Sequence, residues 1–89
     1  MGLNKQEVLV IAETNRGNYS VVIRSSLAGL WQVEIKIGNP DLFYEVFTSR
    51  GDLKTWKNLS DAVKFVQENC ADCKDVKIEI NNWVFERRS

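Results

Sequence analysis

The chain has 89 residues, 44% of them hydrophobic, including three Trp, four Phe and two Tyr. That is too apolar for a disordered tail, and a chain of this length buries roughly 60% of its unfolded surface, so a single domain over residues 1–89 is expected. Twelve Lys and Arg balance twelve Asp and Glu, with four of each sign in residues 1–44 and eight of each in residues 45–89, which argues against a polyanion-binding arm.

Leu3 to Val8 has the form of a helix start, with Asn4 as N-cap, Glu7 closing a capping box and Leu3 with Val8 as a hydrophobic staple. The run Val8-Leu9-Val10-Ile11 argues for a strand instead, being β-branched and apolar on both faces. Thr14 to Asn18 then reads as a turn into Tyr19 to Arg24. The hairpin is the favoured reading and an N-terminal helix the other.

After a connection at Ser25 to Gly29, Trp31 to Ile37 alternates with period two, which sends Trp31, Val33, Ile35 and Ile37 to the core and Gln32, Glu34 and Lys36 to water. Gly38-Asn39-Pro40-Asp41 is a turn, and Leu42 to Thr48 the next strand. Ser49-Arg50-Gly51-Asp52 closes a hairpin, with Gly51 supplying the positive φ, and Leu53 to Lys57 resumes an extended pattern. Ser60 suits an N-cap, and Ala62, Val63, Val66 and Cys70 form the apolar stripe of a helix over residues 60–70. Val76, Ile78 and Ile80 alternate inward in a further strand, and Asn81-Asn82 breaks it before the apolar patch Trp83-Val84-Phe85. That patch either packs back on the sheet or forms a partner or oligomer surface. The expected fold is α+β: a small, curved, mostly antiparallel sheet of about five to six strands with one helix on one face, in the order β-β-β-β-β-α-β.

Chemistry-bearing residues are few. Cys70-Ala71-Asp72-Cys73 is a CxxC, but zinc needs four ligands and the chain has no other Cys and no His, so no metal or cofactor is expected. At a helix C-terminus the dipole opposes a thiolate, so ordinary thiols are expected, with Cys70 in the core. Lack of His removes the commonest general base, and no pair of carboxylates stands in a recognisable motif, so the chain reads as non-enzymatic. The polar set of interest is Arg50, Lys54, Lys57 and Lys64 around Trp56, a candidate surface for nucleic acid or a partner. Trp56 is either core, the favoured reading, or a stacking residue beside cations. The longest apolar run, Val8 to Ala12, is far short of a membrane span, so a cytoplasmic protein is expected.

Arg50-Gly51, Lys54-Thr55-Trp56-Lys57, Leu59, Ala62 and Phe65-Val66, followed by the alternating strand Val76 to Ile80, carry a resemblance. Over residues 46–80 the chain resembles the short domain of plasmid partition-associated proteins and related accessory proteins of mobile elements. In those proteins a basic-aromatic hairpin end leads into a short helix and then a strand. The resemblance implies a plasmid- or phage-type accessory role in the cytoplasm, acting on a protein partner and on DNA or a DNA-bound partner. No catalytic residue carries over from it. An inhibitor or regulator that masks a host enzyme or defence complex is the alternative, and the edges of so small a sheet make a homodimer a further expectation.

Overall fold

The computed structural model describes residues 2–25, 29–38, 42–48, 50–80 and 83–88. They form a small α+β domain with two helices and one mixed sheet in the strand order β1-β4-β3-β2-β5-β6. β2 (Tyr19–Ser25), β3 (Trp31–Ile37) and β4 (Leu42–Val46) make an antiparallel meander. The two-residue β1 (Gly2–Leu3) joins β4 in parallel, β5 (Asp75–Ile80) joins β2 in parallel, and β6 (Trp83–Arg88) closes the far edge antiparallel to β5.

Cross-strand register fixes the two faces. Val21 stands opposite Ile35 and Val76, and Ile23 opposite Val33 and Ile78, so these residues share one face. Helices α1 (Lys5–Thr14) and α2 (Leu59–Asn69) cover that face and bury Val8, Ala12, Ala62 and Val66 in the same cluster as Tyr19, Val21, Ile23, Val33 and Ile35. Both helices pack on the apolar side because the other side of the strands carries the polar alternates, among them Ser20, Arg24, Gln32, Lys36, Lys77 and Glu79.

The N-terminal hairpin is corrected to a helix. Asn4 Oδ1 accepts from the Glu7 N–H at 2.9 Å and Glu7 Oε1 accepts from the Asn4 N–H at 3.1 Å, so the box satisfies the first turn from both sides. Only Val8 and Ala12, one turn apart, are buried in α1, while Leu9 is 42% and Val10 61% exposed. The β-branched run is therefore divided between two helix faces, and capping outweighs its strand preference.

Three further expectations change. The order is β-α-β-β-β-α-β-β, with two helices where one was expected, and the parallel pairings of β5 and β1 make the sheet mixed. α2 starts at Leu59 with Asn58 at the cap, whose carbonyl accepts from the Asp61 and Ala62 N–H groups at 3.2 and 3.3 Å; Ser60 already lies inside the first turn. Starting one residue early lets Leu59 pack against the core.

Residues 53–57 form no second hairpin strand, although the chain does reverse between Thr48 and Asp52. Gly51 sits at φ 88°, Thr48 N–H donates to the Asp52 carbonyl at 2.7 Å, and Phe47 makes a single bridge to Leu53. Beyond it the chain leaves β4 and Trp56 exchanges both backbone bonds, each 2.8 Å, with Trp31. β4 has ended by then, so Trp56 completes the ladder that the start of β3 would otherwise lack. Residues 26–28 of the connection expected at Ser25 to Gly29, residues 39–41 of the turn expected at Gly38 to Asp41, Ser49 of the hairpin turn and the break expected at 81–82 lie outside the described residues.

Candidate binding surfaces

Three places gather the chemistry of the molecule. The first is an open groove of about 830 Å³ between the N-terminus of α1, the outer side of α2 and residues 46–48, 54 and 56. Its apolar floor is Val46, Phe47, Trp56 and Phe65, and its rim carries Lys5, Lys54 and Lys64 with Asp61 and Glu68. The floor exists because the bridge to Trp31 pins Trp56, whose indole packs on Phe65 with centroids 5.0 Å apart. Lys54 Nζ stands 5.7 Å over the Trp56 ring, within cation–π range.

Of the expected polar set, the structure therefore brings Lys54, Trp56 and Lys64 together. Arg50, on the turn, and Lys57, just before α2, are exposed and do not line the groove. Trp56 is half-buried against the core, its indole tilted on Phe65 with the Lys54 ammonium over the ring. Sequence reasoning missed Lys5, which enters the site because α1 is a helix. The signal that places it is the Asn4/Glu7 capping box, which puts Lys5 at the first helical position.

The second place is the cysteine pair. Cys70 caps α2, its N–H donating to the Val66 carbonyl at 2.7 Å, and Cys73 follows across a turn in which its N–H donates to the Cys70 carbonyl at 3.1 Å. Both are buried and neither is in a disulfide. Burial, with the Cys73 thiol beside it, pushes the Cys70 thiol up to about 12, against a smaller opposing effect of the Tyr19 hydroxyl. Burial raises the Tyr19 hydroxyl as well, reinforced by both thiols and Asp72. A thiol held protonated by burial is a poor nucleophile, and both cysteines sit in the core cluster. Among the described residues no third His, Cys, Asp or Glu joins the pair to make a metal-binding group.

The third place is the β6 edge. Trp83 is 69%, Val84 57% and Phe85 52% exposed, so these residues form strand yet remain largely uncovered. Trp83 and Phe85 stack, with centroids 6.4 Å apart, on the face that carries the helices. α2 lies over β2 and β3 and leaves an apolar trough of about 510 Å³ beside β5 and β6, lined by Val63, Val66, Cys70, Val76, Ile78 and Phe85 among others.

The polar face of the sheet is more ordered than alternation alone implies. Glu34, expected in water, is only 9% exposed and receives Arg24 Nη1 at 3.5 Å, while Arg24 Nε donates to Glu79 Oε1 at 3.1 Å. Arg24 thus ties β3 to β5 across β2, on the face where Val22 is also buried. Both carboxylates raise its pKa further, Glu79 foremost, against desolvation. No helix among the described residues is long and apolar enough to cross a membrane.

No family model, no curated protein and no solved structure matches this chain.

Proposed function

We propose that this chain is a small, non-enzymatic accessory module of the plasmid or phage type, which acts by holding a segment of another protein in the groove between α1, α2 and residues 46–48, 54 and 56. The observation that carries the reading is the make-up of the groove: an apolar, aromatic floor of Phe47, Trp56 and Phe65 inside a rim of both charge signs. An apolar centre with a polar, charged rim is the anatomy of a protein interface, and aromatic residues in its centre supply most of the binding energy. DNA is less well served. Asp61 and Glu68 interrupt the lysines, and the Lys54 ammonium already stands over the Trp56 ring.

The test is affinity capture from nuclease-treated host lysate with the wild type and with Lys54→Glu/Lys64→Glu, alongside fluorescence anisotropy with a short duplex DNA at low and moderate salt. The reading predicts one stoichiometric protein partner, held by the wild type and lost from the double variant, with no duplex binding of comparable strength. Salt-sensitive duplex binding that disappears in the same variant would replace the protein segment with DNA. Capture that the variant leaves unchanged would move the site elsewhere. A second reading, masking of a host enzyme or defence complex, is favoured by the uncovered aromatics of β6, and it requires that edge to be free in the isolated protein.

A further inference from the structure

We infer that the β6 edge is a self-association site, at which β6 pairs antiparallel with β6 of a second copy and joins the two sheets into one. The inference is independent of the groove and its ligand. An edge strand normally carries charge, proline or a bulge along its length to discourage pairing. In β6 charge is confined to Glu86-Arg87-Arg88, and Trp83-Val84-Phe85 carries none of these devices while being apolar on both faces of the sheet.

What selects a second copy as occupant is the polarity of the strand. Its first half is apolar and its second half is Glu86-Arg87-Arg88, so an antiparallel copy lays the aromatic end of each strand beside the charged end of the other. Directly opposed residues in an antiparallel pair share a face, so the twofold axis passes through a residue rather than between two. An axis at Phe85 sets Phe85 against its own copy, Trp83 against Arg87 and Val84 against Glu86. The two Phe85 residues then face each other across the axis, with no like charges opposed. An axis at Glu86 would oppose two carboxylates, and one at Val84 would pair only the first three residues of the strand.

Phe85 also lines the trough beside α2, so the two troughs become continuous across the new ladder, with Trp83 and Phe85 of both copies between them. The chain is neutral, with twelve charges of each sign, so no net repulsion opposes the approach. Each aromatic brings at most about 150–250 Å², which places the contact at the lower end of specific interfaces and makes the dimer a concentration-dependent one.

Sedimentation equilibrium from low micromolar to several hundred micromolar protein tests this. The wild type is expected to show a reversible monomer–dimer equilibrium. Phe85→Lys and Phe85→Glu should each weaken it by about tenfold or more, and an equimolar mixture of the two should recover dimer, since the axis places the new charges against each other. Phe85 is half-exposed, so the monomer fold should persist by circular dichroism; Phe85→Thr, neutral and β-branched, gives the same answer should a charged variant unfold. A wild type that stays monomeric at every concentration overturns the inference and leaves the edge to a different protein. So does a dimer that Phe85→Lys or Phe85→Thr does not weaken, or a charged mixture that associates no better than its components.

Discussion

Single residues here are set by what their polar groups find rather than by their own propensity. Cys70 and Tyr19 show it most clearly: the hydroxyl and the thiol are buried side by side in the core, where neither can ionise cheaply. The folded-state pKa of Cys70 stands above its ordinary 9.0, so the protonated thiol's contribution to stability is complete below pH 9.0 and is lost as the pH rises toward about 12. Tyr19, raised from 10.0, adds to the loss above pH 10.0. Urea midpoints should therefore fall steadily above pH 9.0. Cys70→Ala should flatten the first part of that fall, while costing about 1 kcal/mol at neutral pH through the space it leaves. A midpoint that stays level from pH 8 to 11 would mean that Cys70 is solvated. The burial of Cys70 was legible, because it lies on the apolar stripe of α2; its neighbour Tyr19 was not, since the contact joins residues 51 positions apart.

At the scale of elements, local chemistry decides between competing patterns. The alternation of Trp31 to Ile37 gives β3 directly, because a period-two sequence of apolar and polar residues needs no knowledge of the neighbours. Residues 8–11 carried two signals at once, and reciprocal capping by Asn4 and Glu7 prevailed over a β-branched run that buries only Val8. Asn4→Ala should therefore cost about 1 kcal/mol in global stability and fray α1 selectively, raising amide exchange over residues 5–8 while β2 and β3 are unchanged. Equal loss of protection across the sheet would place the effect of Asn4 elsewhere. The return of β5 to pair in parallel with β2 was not legible. It is a non-local pairing made through α2, and neither strand's sequence names its partner. The same holds for Trp56, whose backbone bonds to Trp31 depend on where β4 stops.

For the whole molecule, the two candidate surfaces among the described residues lie on the helix-bearing side of the sheet, at opposite ends of the strand order. The groove lies near β1 and β4, and the aromatic edge is at β6, with β3, β2 and β5 between them. The arrangement predicts two separate binding events, one with a foreign protein segment and one with a second copy. The candidate residues themselves were partly legible: Lys54, Trp56 and Lys64 do meet, but Lys5 joins them only through the fold, and Arg50 and Lys57 stand apart. The three tryptophans report on the three environments. Trp31 lies against the core, Trp56 in the groove and Trp83 on the free edge.

The most direct measurement is therefore a ¹⁵N–¹H correlation spectrum of the three indole Nε1–H resonances, recorded on dilution, then with short duplex DNA, then with the captured partner. Dilution should move the Trp83 indole alone, duplex DNA should move none, and the partner should move Trp56 with Trp83 unchanged. A Trp56 resonance that ignores the partner, or that shifts with DNA in a salt-sensitive way, would contradict the protein-binding groove.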